Sequence, residues 1–182
     1  MRYSKIREMD VSNGEGLGVS LFVQGCHFHC RGCFNPETWD FSCGKEWTEA
    51  VKNKFFELAE KPYINRITIL GGEPLCNENV EEVNQIIKDL RKQFPHKKIW
   101  LYTGYKLDNI LTSGFLKEDK YWETRMNTVL NVNVLVDGQF QIENQDLFNE
   151  HIIWAGSTNQ RVIRIDEIIK GTVFEQARKQ NG

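Results

Sequence analysis

Val19-Ser20-Leu21-Phe22-Val23-Gln24-Gly25-Cys26-His27-Phe28-His29-Cys30-Arg31-Gly32-Cys33-Phe34-Asn35 is the stretch from which both fold and chemistry can be read. Its first five residues are nearly all apolar, which suits a strand buried on both faces, as in a parallel sheet. The cysteines follow the C-terminal end of that strand directly. In parallel α/β folds and barrels, that end is where sites are built. Cys26, Cys30 and Cys33 form a C-x3-C-x2-C run, so one short loop can wrap its thiols round a small object. The candidates are a metal ion, an iron–sulfur cluster or a disulfide.

Iron–sulfur clusters are held by cysteine thiolates, and three thiols leave one iron of a four-iron cluster open. Structural zinc sites are closed and four-coordinate, with ligand pairs two to four residues apart. His27 and His29 lie inside the run, but each adjoins a cysteine, and neighbours in sequence rarely aim at one tetrahedral centre. They read as loop residues. A disulfide fits least, because the chain has five cysteines and no sign of secretion.

Working outward, Asn13-Gly14-Glu15-Gly16-Leu17-Gly18 is a glycine-rich turn leading into the strand. It precedes a strand, whereas a dinucleotide fingerprint follows one and opens a helix. Thr48 is a candidate N-cap for a helix to about Glu60, with Val51, Phe55, Leu58 and Ala59 on one face. Arg66 to Leu70 reads as a second strand and runs into Gly71-Gly72-Glu73-Pro74. A helix from about Asn79 to Phe94 follows, with Val83, Ile86, Ile87, Leu90 and Phe94 inward. Ile99 to Thr103 is a third strand, ending in Gly104-Tyr105, with a short helix from Leu107 to Thr112. Residues from about Lys117 to Asn131 carry no clear pattern. Leu130 to Val136 reads as a fourth strand ending in Asp137-Gly138, and Ile152 to Trp154 and Arg161 to Ile165 as short strands. The last dozen residues form a polar tail.

Strands alternating with helices give βαβ units and a parallel sheet. The expected fold is α/β, an open partial (β/α) barrel of five or six strands. At 182 residues the chain is short of the roughly 250 typical of a closed eight-unit barrel. One domain spans 1–182, with its core at about 10–165 and the tail at about 170–182. With 23 basic and 25 acidic residues, there is no basic excess to suit nucleic acid. The start has no signal-peptide pattern, and no apolar stretch approaches a membrane span. A cytoplasmic protein with reduced thiols is expected.

Gly71-Gly72-Glu73-Pro74 alone is an ordinary tight turn. Brought beside three thiols, it gains a chemical reading. An open iron can bind a chelating amine and carboxylate. Two glycines let backbone approach such a ligand. A carboxylate can support its ammonium group.

The cysteine run together with the Gly-Gly-Glu-Pro strand end resembles the radical S-adenosylmethionine (SAM) enzymes. One branch is closer. Asn13-Gly14, Gly16, Leu21-Phe22-Val23, Gly25-Cys26, Gly32-Cys33-Phe34-Asn35 and Thr38-Trp39 are similar to the activating proteins of anaerobic ribonucleoside-triphosphate reductases. So are Trp100 to Tyr105, Asn133 to Gly138 and Trp154 to Arg161.

The resemblance implies a radical SAM type of fold, a [4Fe-4S] cluster and S-adenosyl-L-methionine as cofactors. It implies reductive cleavage of SAM and formation of a glycyl radical on the large subunit of the reductase. A one-electron donor such as flavodoxin would be a second partner. Cys26, Cys30 and Cys33 would ligate three irons, with no catalytic side chain beyond them. Gly32, Cys33 and Phe34 would line the SAM pocket beside the cluster, and Gly71, Gly72 and Glu73 would meet its methionine end. Tyr105, Asp137 and Asn159 are weaker candidates whose default reading is structural. The rival readings are another small radical SAM enzyme or glycyl-radical activase, or a zinc-stabilised binding module.

Three positions depart from the branch: Glu15 and Gly18, where Pro and Arg are usual, and Ala155, where many relatives have arginine. Cys43 and Cys76 have no partner at metal spacing and read as bystander thiols. His96 and His151 have no readable nucleophile partner. Phe28 and Phe34 flank the thiols and could keep solvent off a cluster.

Overall fold

The structure is a computed structural model and describes residues 1–116, 119–145 and 153–169. Its sheet has seven strands in the order β3-β1-β2-β4-β5-β6-β7 and does not close. The strands are β1 (Arg2–Asp10), β2 (Gly18–Val23), β3 (Lys45–Glu46), β4 (Arg66–Gly71), β5 (Lys98–Thr103), β6 (Val134–Asp137) and β7 (Arg161–Arg164). The helices are α1 (Glu49–Glu60), α2 (Val80–Gln93), α3 (Leu107–Leu116) and α4 (Trp122–Leu130). The central strands β2, β4, β5 and β6 are parallel, and the outer pairings are antiparallel. An open partial barrel is the result, with more strands than the five or six expected.

Side-chain alternation divides the sheet into two faces. Val19, Leu21, Val23, Ile67, Ile69, Ile99, Leu101 and Leu135 join one core with Phe55, Ala59, Val83, Ile86, Ile87 and Leu90 of the helices. The alternate residues Phe22, Leu70 and Tyr102 line a cavity on the other face. Both faces of these strands are therefore covered or enclosed, which is why the sequence shows apolar runs. α1 starts where expected: the Val51 N–H donates to the Thr48 hydroxyl at 3.4 Å.

The structure corrects the expectation in four places. The polar start of the chain is β1, antiparallel to β2, with Lys5 and Arg7 stacked over the Phe22 ring at 4.8 and 5.2 Å. The patternless stretch contains α4, whose Arg125 is buried against Asp119 and so masks the helical face. The fourth parallel strand begins at Val134, because Leu130 still belongs to α4. Ile153 and Trp154 form a turn rather than a strand, while Ile152 and the tail beyond 169 lie outside the described residues. Among the described residues no helix is long and apolar enough to cross a membrane.

The glycine-rich turn is packed round a buried ion pair. Arg66 and Asp10 are both buried, with Nη2 and Oδ1 at 3.9 Å. Arg66 donates to the Asn13 carbonyl at 2.6 Å and to the Asp10 carbonyl at 2.5 Å. The Asp10 carboxylate accepts from Ser12 N at 2.7 Å, from the Asn13 side chain at 2.6 Å and from the Ser20 hydroxyl. Burial pushes the Asp10 carboxyl up, but these bonds and the Arg66 charge together hold it below the usual range. A Cβ at Gly18 would lie 2.6 Å from the Arg66 guanidinium carbon, and one at Gly14 2.6 Å from Arg66 Cδ. Arg66 thus fills the space that a larger residue at 18 would need. Glu15 reaches Arg164 at 3.7 Å on the exposed side.

Asp10→Ala strands the Arg66 charge in the interior and is expected to cost about 3–5 kcal/mol of stability. Urea unfolding of the iron-free protein checks this; a loss of less than about 1 kcal/mol would place the pair in the range of ordinary surface ion pairs.

Candidate functional site

Parallel register brings the functional loops to one edge of the sheet. Val23 pairs with Gly71, and Thr103 with Asp137. The cysteine loop, the Gly-Gly-Glu-Pro turn, Gly104-Tyr105 and Gly138 leave the sheet together. They enclose a cavity of about 820 Å³, lined by Cys26, Cys30, Cys33, Gly71, Gly72 and Glu73 among others. Phe34 lines it too, 61% exposed and with its ring 4.9 Å from that of Phe140.

The cysteine loop folds back on its own start. Gly25 N donates to the Thr38 carbonyl at 2.8 Å and Cys26 N to the Trp39 carbonyl at 3.0 Å. Gln24 closes the loop from inside, donating to the carbonyls of Glu37 and Asp40. Between the thiols the chain takes two left-handed residues, His29 (φ 46°) and Gly32 (φ 74°), which turn the loop tightly enough for all three cysteines to face the cavity.

Burial pushes the Cys26 thiol up to about 11, aided by the Glu73 charge and opposed by Phe28 and His29 backbone bonds. Burial, then the neighbouring Cys33, also raises Cys30. Cysteine binds metal as the thiolate, so any metal held by these sulfurs would displace their protons. Among the described residues, no three His, Cys, Asp or Glu side chains gather as they would round one metal ion. Three cysteine sulfurs facing one cavity are the type of donor an iron–sulfur cluster takes. Asn35 N also donates to the Cys33 sulfur at 3.4 Å, a bond of the kind that tunes cluster sulfurs.

Across the cavity, Gly71 and Gly72 are required by close backbone approach. A Cβ at Gly71 (φ 111°) would lie 2.8 Å from the backbone of Phe22 and Val23; one at Gly72 would lie 2.4 Å from the Gly25 carbonyl oxygen. Glu73 follows, 1% exposed. Its carboxylate accepts from Thr103 Oγ1 at 2.7 Å, Gly104 N at 2.7 Å and Leu75 N at 2.8 Å. Burial outweighs these bonds and raises the carboxyl to about 7. Four lone-pair positions and three donors leave one position for a ligand.

The histidines do not line the cavity. The His27 ring nitrogen lies 3.0 Å from Glu78, and His29 stacks on Trp39 at 4.8 Å. Cys43 is exposed beside Asp40, Cys76 is buried, and neither lines the cavity; His96 is exposed and His151 lies outside the described residues. Asp137 is held by two bonds from Arg161 and by Leu107 N, so it fastens β6 to β7 and to the start of α3. Tyr105 packs its ring against Phe28, and Asn159 donates to the Gln139 carbonyl.

Residues 12–163 match the family described as a 4Fe-4S single cluster domain. Three relatives carry the name anaerobic ribonucleoside-triphosphate reductase-activating protein. The Escherichia coli K12 protein is 36% identical over 164 residues, covering 89% of this chain and 97% of the relative. The phage T4 protein is 35% identical over 162 residues, covering 89% and 93%. The Haemophilus influenzae protein is 34% identical over 166 residues, covering 90% and 98%. The chain belongs to this family of activating proteins.

Several residues help to build the site without a readable role in the sequence, and of these Gln160 alone lies in a segment, Trp154 to Arg161, that carries the resemblance. Asn79 donates from its side chain to the carbonyls of Gln24 and Glu73, tying the cysteine loop to the turn. Gln160 accepts from Gly156 N and donates to the Gly138 carbonyl, shaping the far wall. Arg125 donates to the Leu75 carbonyl and to Asn77, fixing the segment after the turn. Each is a polar residue bonded to distant backbone, and no local spacing announces that.

Glu73 titrates near 4.5 when unfolded and near 7 when folded. Between those values the folded state holds the extra proton, so the stability this group contributes is fully present below about pH 4.5 and is lost as pH rises through about 7. Relative to Glu73→Gln, the iron-free protein is expected to lose about 3 kcal/mol across that window. Parallel pH profiles for the two proteins in denaturant unfolding would show the carboxylate ionised throughout.

Proposed function

We propose that this chain is a radical SAM activase for the large subunit of an anaerobic ribonucleoside-triphosphate reductase. The observation that carries the reading is the placement of three thiols opposite a Gly-Gly-Glu-Pro turn in one cavity at the strand ends. The family match supports the cluster, and the relatives' name supports the target.

Cys26, Cys30 and Cys33 would hold a [4Fe-4S] cluster by three irons and leave the fourth open to SAM. The chemistry such a cluster would supply when bound and reduced is one electron for cleaving the SAM sulfonium bond, with methionine as one product. A glycine Cα of the reductase would be the hydrogen donor, leaving 5′-deoxyadenosine and the glycyl radical. A one-electron donor such as flavodoxin would supply the electron.

The chain's own residues do the positioning. Cys33 and Phe34 line the cavity where the cluster's open iron would face SAM; Gly32, expected beside them, does not line it and faces Ile142 instead, whose Cδ1 would lie 2.5 Å from a Cβ there. Gly71 and Gly72 keep the turn low against β2, so its backbone borders the methionine end. Glu73 has one acceptor position left for the SAM ammonium group, which would favour the ionised carboxylate. The volume of about 820 Å³ falls within the range of cofactor pockets. A site built on reduced thiols suits the cytoplasm.

The test is anaerobic. The protein is reconstituted with iron and sulfide, reduced and given SAM, and 5′-deoxyadenosine is quantified against a variant lacking all three cysteines. Product from wild type alone is expected, with a glycyl radical signal when the reductase subunit is added. Zinc in place of iron, and no product, would overturn the reading in favour of a binding module. Product without any radical on the reductase would point to a small-molecule substrate.

Cys30→Ala is expected to abolish cluster absorption and SAM cleavage together. Full cleavage in that variant would remove Cys30 from the ligand set.

A further inference from the structure

The three site loops are joined in a closed triangle of contacts. One side runs from the Gly-Gly-Glu-Pro turn to the cysteine loop: Glu73 N donates to the Gly25 carbonyl at 2.7 Å. The second runs from the turn to the end of β5: the Glu73 carboxylate accepts from Thr103 Oγ1 and Gly104 N, each at 2.7 Å. The third runs from β5 back to the cysteine loop through a ring. Phe28, midway between Cys26 and Cys30, lies over Gly104. A Cβ there would stand 2.5 Å from two carbons of the ring. Tyr105 meets the same ring edge-on, with centroids 5.1 Å apart, and its own ring carries Arg125 at 5.0 Å.

Gly104 does not have positive φ, so its backbone does not demand glycine. The demand comes from Phe28, which needs the bare Cα as its seat. Thr103 makes a second bond as well, since its hydroxyl oxygen accepts from Tyr105 N at 3.1 Å while donating to Glu73. The strand end is therefore shaped from both sides. Glu73 pulls on its amide and hydroxyl, and Phe28 rests on the face left open.

We infer that Gly104, backed by Thr103 and Glu73, is a positioning residue that sets the cysteine loop against the Gly-Gly-Glu-Pro turn by seating Phe28. It lines the cavity beside Thr103 and Glu73, has no side chain of its own to reach a thiol, and acts through that ring. The inference rests on the cluster reading of the three cysteines, and it adds a cause for the loop's placement that lies outside the cysteine motif. A side chain at 104 would lift Phe28 and displace the two thiols that flank it in sequence. A displacement of about 1 Å at a reacting centre can cost on the order of 100-fold in rate.

The experiment compares reconstituted wild type, Gly104→Ala, Phe28→Leu and the double variant, by iron and sulfide content, the electron paramagnetic resonance spectrum of the reduced cluster, and 5′-deoxyadenosine formation. Gly104→Ala is expected to keep its iron, to shift the cluster spectrum and to cleave SAM roughly 100-fold more slowly. Adding Phe28→Leu is expected to return both spectrum and rate at least tenfold of the way, because the smaller side chain leaves room for the methyl group. Losses that simply add in the double variant, or a Gly104→Ala protein with wild-type spectrum and rate, would overturn the inference. Should Gly104→Ala not fold, Phe28→Ala tests the same contact from the other side; an unchanged spectrum and rate there would also overturn it. Failure of wild type to form 5′-deoxyadenosine would count against the proposed function alone, since the cluster spectra still read the contact.

Discussion

Parallel register is the constraint on which the rest depends. Once β2, β4, β5 and β6 run side by side in one direction, their C-terminal ends must share an edge. Residues more than a hundred positions apart, such as Cys26 and Gly138, then line one cavity. The antiparallel outer strands do not disturb this. They widen the sheet and bring Arg7 to one wall, while the chain before β7 supplies Trp154 to the other. The same register explains the two glycines after β4. The turn can lie low only because nothing projects from Gly71 or Gly72 into the backbone of β2 and Gly25.

A second constraint acts at the opposite ends of the strands. Arg66 opens β4 and is tied to the turn that precedes β2. Its partners are mostly carbonyls of that turn, so the guanidinium organises backbone as much as it neutralises Asp10. Hydrogen bonds and opposite charge offset the cost of burying the ion. The glycine-rich segment, which reads in the sequence as a leader, is a wrapping shaped by the side chain inside it.

What was legible in the sequence follows from this architecture. β2, β4 and β5 were visible because both faces are covered, leaving unbroken apolar runs. α1 was visible through its Thr48 cap and helical spacing, and α2 through helical spacing. β1 was hidden because its contacts with Phe22 are made by Lys5 and Arg7, whose polar heads disguise a packing role. α4 was hidden because Arg125 is buried through an ion pair and backbone bonds rather than by apolar character. At the site, the cysteines and the Gly-Gly-Glu-Pro turn stood out as motifs. Thr103 and Gln160 fell inside segments that carry the resemblance and Asn79 outside them, yet no role could be read for any of the three, since their work is a hydrogen bond to a carbonyl, carboxylate or amide that nothing nearby in sequence records. The glycines were recognised, but the reason for them was not: the contact they avoid is with their own chain.

An open sheet also leaves two bare edges, and unpaired strand edges invite other chains to add on. Here each end of the sheet is poorly suited to that. At one end β3, the exposed and oppositely charged Lys45 and Glu46, pairs only with Arg2 and Tyr3, and the rest of the β1 margin carries Lys5, Arg7 and Glu8. At the other end β7 has four residues, and it begins and ends in an exposed arginine. Charge at both margins and the short length of β7 discourage sheet-to-sheet growth. A barrel left unclosed to keep a broad mouth can therefore stay open without becoming a template for aggregation.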